Sequence, residues 1–267
     1  MNAKIDILIL NRNMKVVTDN LVDHLSQQPD VNFIGVIDSG SRSEEKSKWT
    51  FVGDDSEPVL ETGLRPNRGY QLGLGSWIEL NTGSEWVLLL PNDSELFSWN
   101  CEQLISQIED CREIVAVIPL SPTNPYRTIL PESRIALGWN FHEGPIIFRK
   151  DYVHNRISTN RPIFDTNNFR GYLSFIEVAI QAYANNLAIV GTDLISFSEN
   201  KSHLIKSHSL IDTEPLEESY HKLILEGEQW LSAKYGLNDR WSFELICRLL
   251  FEEFMDVNPS FPFSPLV

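Results

Sequence analysis

The sequence predicts an α/β protein in which a mostly parallel sheet is flanked by helices. The most direct evidence is the apolar run at residues 86–90, which has the length of a strand and stops at Pro91 before a polar turn. Five apolar residues in succession suit a strand that is covered on both faces, as in an α/β sheet. The opening residues add a strand-helix-strand pattern, and two amphipathic helices follow residue 200.

The opening segment predicts a βαβ unit. Residues 4–10 and 31–37 are apolar and of strand length. Between them, apolar side chains recur at the spacing of one helical face, at Met14, Val17, Leu21 and Leu25. A helical crossover between two strands favours a parallel pair with a right-handed connection.

The other elements are predicted from the same periodicities. We expect short strands at 49–52 and 144–148, longer strands at 86–90 and 114–120, and a last strand at 187–190. Helices are expected at 70–80, 100–111 and 173–185, with loops at 53–63 and 164–171. The amphipathic helices at 214–235 and 242–255 have no strand between them. We therefore divide the chain into a domain at 1–208 and a C-terminal helical extension at 209–267, packed on that domain or on a partner chain.

Composition excludes some classes of protein. The net charge is −15, from 22 Lys plus Arg against 37 Asp plus Glu, and such a surface repels nucleic-acid backbones. The three scattered cysteines indicate a reducing compartment. No apolar stretch approaches the roughly 20 residues of a membrane-spanning helix, and the N-terminal apolar run lacks the features of a signal peptide. We expect a cytoplasmic protein, with peripheral membrane contact and a homo-oligomer through the C-terminal helices left open.

Three strand ends carry the candidate ligand groups, at residues 11–13, 38–41 and 92–94. In a parallel sheet these ends converge on the carboxyl edge, where open α/β sheets bind ligands. Asp38 suits a base or ribose, because a carboxylate only accepts hydrogen bonds. Asp93 suits a hard divalent cation whose other ligands are diphosphate oxygens.

Between the second and third of these ends lies a basic, glycine-containing segment. Arg65 and Arg68 supply positive charge suited to a diphosphate. The glycines at 69, 73 and 75 do not follow the G-x-G-x-x-G order of a dinucleotide site. They permit either a close approach of the backbone to a phosphate or tight packing of a helix.

The order of these motifs closely resembles that of the family 2 glycosyltransferases of the GT-A fold, over roughly residues 4–208. The matching stretches are ILILNRN at 7–13, VIDSGS at 36–41, PNRGY at 66–70, VLLLPNDSEL at 87–96 and GPIIFRK at 144–150. A further match runs from Phe164 and Asp165 through Phe169 into the helix after Gly171 and Tyr172.

The resemblance implies an inverting glycosyltransferase that takes its sugar from a nucleotide-diphosphate sugar, uses Mn²⁺ or Mg²⁺ and modifies a glycan or glycolipid, as in polysaccharide biosynthesis. Asp38 matches the family's base-recognition position, and Asn11 lines the same pocket. We take as donor-binding residues Asn11, Asn13, Asp38, Ser39, Arg65, Arg68, Gly69 and Asn92. Asp93 matches the last residue of the family's D-x-D metal motif, here Pro91-Asn92-Asp93. His203 or His208 resembles a histidine that assists the metal or the diphosphate, and we take His203 as the second metal ligand.

One departure from the family concerns the general base. The family places acidic residues at the start of the helix after Gly171 and Tyr172, and here the base position falls on Phe175. Glu177 takes that role only if the helix begins late and leaves residues 171–175 as a loop. Asp165 and Glu143 are the alternatives. We take Glu177 and Asp165 as the catalytic candidates.

The missing base leaves two interpretations of different classes. In the first, the chain is a metal-dependent glycosyltransferase. In the second, it is a catalytically silent GT-A domain that binds nucleotide or glycan and acts through protein partners, with the apolar C-terminal helices as the interface. A nucleotidyltransferase is a third, weaker possibility, because it would want a glycine- and lysine-rich loop where this chain has Asn11-Arg12-Asn13.

Overall fold

The structure is a computed structural model that describes residues 4–141, 144–199 and 216–266. Its strands are β1 (Ile5–Asn11), β2 (Val31–Asp38), β3 (Thr50–Gly53), β4 (Trp86–Pro91), β5 (Ser94–Trp99), β6 (Ile114–Pro119), β7 (Ile135–Leu137), β8 (Ile146–Arg149), β9 (Ala188–Thr192) and β10 (Ile195–Glu199). Its α-helices are α1 (Lys15–Leu25), α2 (Glu57–Thr62), α3 (Arg65–Leu80), α4 (Cys101–Ile108), α5 (Lys150–Ser158), α6 (Ser174–Tyr183), α7 (Leu216–Tyr235) and α8 (Arg240–Val257).

Eight strands form one mixed sheet in the order β3-β2-β1-β4-β8-β6-β9-β7. β1 pairs in parallel with β2 on one side and with β4 on the other. β8 runs antiparallel between β4 and β6, and β7 runs antiparallel to β9 at the far edge. The predicted βαβ unit and α/β class are therefore confirmed, and β1, β2 and β4 end at the same edge of the sheet.

The centre of the sheet is buried on both faces. Every residue of β1 is buried, including Asp6, the one charged residue of the strand. Asp6 accepts hydrogen bonds from Trp77 Nε1 at 2.7 Å, from Asn32 Nδ2 at 3.0 Å and from the Thr82 hydroxyl. A buried carboxylate with three donors avoids the penalty of an unpaired charge. Asp6 therefore joins β1 to the far end of α3.

The C-terminal helices pack against the sheet domain. The ring of Tyr183 on α6 lies 5.4 Å from the rings of Phe251 and Phe254 on α8. The segment after α8 pairs with the edge strand β7, because Leu137 exchanges backbone hydrogen bonds with Ser264 and Leu266 at 2.9 Å. The proposed boundary at 208/209 lies outside the described residues and stays a prediction. Within the described residues, no helix is long and apolar enough to cross a membrane.

Several elements differ from expectation. The prediction that residues 187–190 form the last strand is wrong, because β10 follows β9 and pairs antiparallel with β5 in a separate two-stranded sheet. The segment 53–63, predicted as a loop, contains α2, and α5 was not predicted. α5 is largely polar and buries few residues, so it lacks a clear apolar stripe. β5 and β10 are distant in sequence, and no local pattern pairs them.

Glycine lets α3 lie close to the sheet. A Cβ at Gly73 would lie 2.2 Å from Cδ1 of Ile37, and one at Gly69 would lie 2.5 Å from Cδ1 of Leu10. A Cβ at Gly75, on the same helix, would meet nothing within 4 Å. Of the two explanations for these glycines, the structure favours helix packing for Gly69 and Gly73.

We expect Gly73→Ala to lower the free energy of unfolding by about 1–3 kcal/mol, because overpacking against the fully buried Ile37 outweighs the better helix propensity of alanine. The matched control is Gly75→Ala, which should raise stability by up to about 1 kcal/mol. Urea unfolding of both variants measures the difference. A Gly73→Ala protein as stable as Gly75→Ala would contradict this account of the helix contact.

Candidate functional site

A buried amide links the ends of β1, β2 and β4. Oδ1 of Asn11 accepts hydrogen bonds from the Thr18 hydroxyl at 2.7 Å and from Nδ2 of Asn92 at 3.1 Å. Nδ2 of Asn11 donates to the Ser41 hydroxyl at 3.3 Å. The structure therefore brings together residues of the three strand ends that the sequence analysis singled out. Thr18 was missed, because on α1 it reads as an ordinary helix residue.

Asp38 is buried at the end of β2 and is only partly satisfied. Its Oδ2 accepts a hydrogen bond from the backbone N–H of Ser41 at 3.0 Å. Its Oδ1 is buried and has no hydrogen-bond partner among the described residues. An unpaired buried acceptor is costly, so it marks a position where a ligand with an N–H or O–H group gains by binding.

A cavity of about 360 Å³ adjoins this cluster and is lined in part by Asn13, Ser41 and Arg42. Asn13 lies in the left-handed region at φ 53°. Its backbone N–H donates to the Ser41 hydroxyl, and its side chain accepts from the backbone N–H of Arg42, both at 2.9 Å. Asn13 thus holds the loop after β2 against the loop after β1.

Arg12 is a structural residue of the site that the sequence analysis did not single out. Its side chain is 1% exposed, and its guanidinium donates to the carbonyls of Ser39 and Gly40 at 2.6 Å and to those of Val59 and Leu60. It therefore fastens the loop after β2 to α2. The hydroxyl of Ser39 accepts from the backbone N–H of Leu64 at 2.9 Å, so it serves the same loop.

The two arginines of the basic segment have different environments. Arg65 is buried at the start of α3 with φ 60°, and its guanidinium carbon lies 4.6 Å from the ring centroid of Phe169. A guanidinium at this distance from an aromatic face makes a cation–π contact. Arg68 is exposed one turn later on the helix. Of the two, Arg68 is the one open to solvent.

The candidate metal ligand Asp93 is nearly buried at the turn after β4. Its charge lies close enough to Tyr70 to raise the pKa of that phenol, although burial is the larger cause. Among the described residues, no three His, Cys, Asp or Glu side chains form a group that could hold a metal ion. His203, His208 and Glu143 lie outside the described residues.

The chemistry of this donor set fits one kind of metal site. A single carboxylate does not hold a divalent ion alone, and the amide nitrogen of the neighbouring Asn92 is committed to Asn11 and Thr18. Mg²⁺ is commonly bound by one or two carboxylates together with substrate phosphates. Asp93 therefore suits an ion that arrives with a diphosphate.

The candidate catalytic carboxylates, Asp165 and Glu177, share one lysine from the C-terminal extension. Nζ of Lys234 lies 2.7 Å from Oδ2 of Asp165 and 2.6 Å from Oε1 of Glu177. Trp230 Nε1 also donates to Asp165, at 3.0 Å, and the Tyr235 hydroxyl donates to Glu177 at 2.6 Å. All three donors lie on α7. We call these five residues the Lys234 cluster.

The pKa values in the Lys234 cluster reflect this pairing. Burial acts to raise the pKa of Asp165, but hydrogen bonds from Lys234, Trp230 and the Asn167 backbone outweigh it and leave the pKa below its ordinary value. Burial acts to lower the pKa of Lys234, and the two carboxylates raise it above its ordinary value. Both groups are therefore charged at neutral pH.

The start of α6 decides the geometry of Glu177. The helix begins at Ser174, so the condition that residues 171–175 form a loop is not met. Residues 175 and 177 therefore differ by about 200° around the helix axis. Phe175 packs edge-on against Phe164 at 6.2 Å, and Glu177, fully buried, faces α7.

We call the carboxyl ends of β1, β2 and β4, together with the start of α3, the candidate donor edge. The backbone of Asp165 is hydrogen-bonded to this edge. Nδ2 of Asn67, at the start of α3, donates to the Asp165 carbonyl at 3.0 Å. The ring of Phe164 lies 5.8 Å from that of Tyr70, the phenol that senses the charge of Asp93. Asp165 is 8% exposed and Glu177 is 0% exposed, so Asp165 is the carboxylate that solvent reaches.

Sequence patterns carried no signal for the contribution of α7. Lys234, Trp230 and Tyr235 lie about 60 residues beyond their partners and outside every motif. A second link is the ion pair of Arg170 with Glu226 at 2.8 Å. A Cβ at Gly227 would lie 2.2 Å from the ring of Tyr172, so α7 approaches the segment before α6 closely.

We expect Lys234→Met to lower the free energy of unfolding by about 1–3 kcal/mol at pH 7, because it leaves two buried carboxylates without their cation. Lys234 is about a third exposed, which keeps the effect modest. Because the pKa of Asp165 is lower in the folded protein than in the unfolded chain, its ionised form stabilises the fold at pH values above the unfolded pKa, about 3.9. That stabilisation is lost as the pH falls through the folded pKa. The loss in Lys234→Met should therefore shrink below about pH 4.

The control for this variant is Lys48→Met, which breaks the exposed pair with Asp23 at 3.2 Å. Exposed pairs contribute about 0–1 kcal/mol, so its effect should be small at every pH. Urea unfolding at a series of pH values compares the two. Equal losses in both variants, or a Lys234→Met loss that does not change with pH, would show that the Lys234 cluster adds no special stability.

No protein-family model and no curated protein sequence matches the chain. Solved structures do match. The crystal structure of GalNAc-T7 with UDP, GalNAc and Mn²⁺ has a TM-score of 0.58 at 11% identity; the match covers 97% of this chain and 58% of that chain. The chain thus spans just over half the length of that protein.

A second solved structure is glucosyl-3-phosphoglycerate synthase from Mycobacterium tuberculosis in complex with Mn²⁺, UDP-glucose and glycerol 3-phosphate. Its TM-score is 0.50 at 15% identity, with 89% of this chain and 82% of that chain covered. The same enzyme with Mg²⁺ and UDP has a TM-score of 0.50 at 14% identity, with 89% and 81% covered. At these identities the likeness establishes the fold. The chain has the GT-A fold of these glycosyltransferases, as its motif order predicted.

Proposed function

We propose that this chain is a glycosyltransferase that moves a sugar from a nucleotide-diphosphate sugar to a glycan or glycolipid, with inversion and with a divalent metal. The observation that carries the proposal is the unpartnered, buried Oδ1 of Asp38 at the carboxyl edge of a GT-A sheet. The solved structures of the same fold were crystallised with UDP or UDP-glucose and with Mn²⁺ or Mg²⁺, which supports a nucleotide diphosphate as the ligand.

The donor nucleotide is assigned to the ends of β1 and β2. Asp38 accepts a hydrogen bond from the base, and Asn11, Asn13 and Ser39 hold the loops around it. A charge-assisted hydrogen bond of this kind contributes about 1.5–3 kcal/mol. Because Oδ1 of Asp38 has no partner among the described residues, the base can form this hydrogen bond without breaking a hydrogen bond within the protein.

The diphosphate is assigned to the start of α3 and the turn after β4. Arg68 is exposed and Arg65 lies beside Phe169, and both supply positive charge in a strongly acidic chain. Gly69 lets the start of α3 lie close to the sheet, and Asn92 joins the turn after β4 to Asn11 through a hydrogen bond. Asp93 would hold the metal ion, with His203 proposed as a second ligand. When bound, the ion would stabilise the negative charge of the departing diphosphate.

Sugar transfer with inversion needs a proton acceptor near the acceptor hydroxyl. The hydroxyl oxygen forms a bond to the anomeric carbon, the bond from that carbon to the diphosphate oxygen breaks, and a carboxylate takes the hydroxyl proton. We assign that proton acceptor to Asp165 and keep Glu177 as the alternative, because α6 does not begin late, as the role of Glu177 required. Asp165 is the first choice, because it is ionised, partly accessible and tied to the donor edge through Asn67.

The acceptor is assigned to a cavity of about 270 Å³ beside the start of α6. Its lining includes the aromatic side chains of Trp139, Phe141 and Phe175. Pockets for organic ligands are lined mainly by apolar and aromatic side chains with few polar groups. Phe175, which stands in the family's base position, then contributes acceptor contact in place of proton transfer.

A second candidate function is a catalytically silent GT-A domain that binds nucleotide or glycan and acts through protein partners. The observation that favours it is the Lys234 cluster, in which both candidate bases already accept hydrogen bonds from Lys234. A carboxylate bound to an ammonium group is a weaker base than a free one. Donor binding is common to both candidates, and only measured transfer separates them.

We expect nucleoside diphosphates to raise the melting temperature of the wild type, and Mn²⁺ to increase the shift. Asp38→Asn should weaken nucleotide binding about ten- to a hundredfold, with or without metal. Asp93→Ala should retain basal binding and lose the enhancement by Mn²⁺. The control is Asp23→Asn, which removes an exposed charge paired with Lys48 and not with a candidate site residue. Wild-type affinity in Asp38→Asn, or full Mn²⁺ enhancement in Asp93→Ala, would refute the corresponding assignment.

With a donor that binds, we expect Asp165→Asn to lower turnover by about 10²-fold or more, the scale of a positioned general base. Donor affinity should change little. Glu177→Gln is the paired variant, and the larger loss of turnover identifies the base. Equal turnover in both variants and the wild type would exclude the pair. Binding without any transfer by the wild type would establish the silent-domain candidate.

A further inference from the structure

A third cavity lies at the opposite edge of the sheet from the donor site. Its volume is about 330 Å³, and its lining includes Val115 near the start of β6, Leu187 just before β9 and Arg149 at the end of the antiparallel β8. These positions mark the amino ends of the parallel strands, whereas the candidate donor residues follow the carboxyl ends. None of the donor, metal or base candidates lines this cavity.

The cavity is strongly basic in a chain whose net charge is −15. Four arginines and one aspartate line it, namely Arg112, Arg149, Arg156, Arg161 and Asp151. Asp151 offsets little of this positive charge. Its carboxylate lies 3.7 Å from the guanidinium of Arg112, but both side chains are exposed, and solvent weakens their interaction. Burial, and then repulsion from Arg112, lower the pKa of Arg149, so like charges crowd here. A bound anion would relieve that repulsion.

Two residues of the lining carry unpartnered hydrogen-bond donors. Tyr152 is 7% exposed, and its hydroxyl is buried with no hydrogen-bond partner among the described residues. Nε of Arg156 is likewise buried without a partner, while its Nη2 donates to the Pro162 carbonyl at 2.7 Å. Both orphaned groups donate hydrogen bonds, which is what the oxygens of an anion accept.

Arg149 has a different part in the same cavity. Its guanidinium donates to the carbonyls of Ile108, Glu109, Cys111 and Ile114 and stacks on Trp86, with its carbon 4.5 Å from the ring centroid. Arg149 therefore contributes positive charge and a side chain held in place, while Tyr152 and Arg156 each have a hydrogen-bond donor without a partner among the described residues.

We propose that this cavity binds the phosphate group of a small ligand, with Tyr152 and Arg156 donating hydrogen bonds and Arg112, Arg149 and Arg161 supplying charge. A cavity of 330 Å³ lies within the usual range of small-molecule sites, about 300–1,000 Å³, so it accommodates a phosphate monoester as well as free phosphate. The donor-edge residues do not line this cavity, and the charge of Glu177 from the Lys234 cluster acts on its Tyr152.

The test is the affinity of the full chain for inorganic phosphate and for glucose 6-phosphate, measured by calorimetry in chloride-matched buffer. Tyr152→Phe removes only the unpaired hydroxyl, so it should fold with unchanged or slightly higher stability and bind at least tenfold more weakly. Arg156→Gln should weaken binding at least as much. Tighter binding of glucose 6-phosphate than of phosphate would identify a phosphate monoester as the ligand, and equal affinities would identify free phosphate.

Two control variants separate this site from other basic groups. Arg248→Gln removes an exposed arginine paired with Glu252 on α8, and should leave phosphate affinity within twofold. Arg68→Gln tests whether the bound phosphate lies at the donor edge instead, and should also leave it within twofold. Absence of phosphate binding by the wild type would overturn the proposal. Affinity lost in Arg68→Gln but kept in Tyr152→Phe and Arg156→Gln would overturn it equally.

Discussion

The parallel pairing of β1 with both β2 and β4 is the constraint on which the candidate donor site depends. β1 is buried along its whole length, and its register sets Asn11 opposite Asp38 and Leu10 opposite Pro91. A shift of one residue would move every side chain of β1 to the other buried face and would take Asp6 away from its three hydrogen-bond donors, so packing on both faces holds the register. The polar residues that follow the three strands therefore lie at the same edge of the sheet, where the Asn11 amide is hydrogen-bonded to Ser41 and Asn92.

The loops at that edge are held by internal hydrogen bonds. Arg12 donates hydrogen bonds to carbonyls of the loop after β2 and of α2, and Asn13 and Ser41 bridge two loops. Binding sites built from pre-ordered groups lose less entropy when the ligand arrives. Asp38 is the exception within this network, since one of its oxygens remains without a partner among the described residues. A rigid frame around one unsatisfied acceptor is the arrangement that a specific polar ligand completes.

The C-terminal extension belongs to the same structural unit as the sheet domain. Two carboxylates buried beside each other repel unless a cation lies between them, and α7 provides that cation as Lys234. The aromatic contacts of α8 with Tyr183 and the pairing of the last residues with β7 attach the extension at further points. A substitution or a movement of α7 therefore alters the hydrogen bonds and charge environment of Asp165 and Glu177 directly.

The amino-acid sequence by itself determined the fold class, the strands β1, β2, β4 and β6, and the convergence of their polar ends, because continuous apolar runs and polar stops are local signals. Tertiary structure alone decided the pairing of β5 with β10, the packing role of Gly69 and Gly73, and the surroundings of Asp165 and Glu177. Those features depend on contacts between residues far apart in the chain. Helix periodicity indicated that α7 has an apolar face, but only the folded chain shows that Lys234 meets two carboxylates from separate segments, since a long-range ion pair leaves no mark on local sequence.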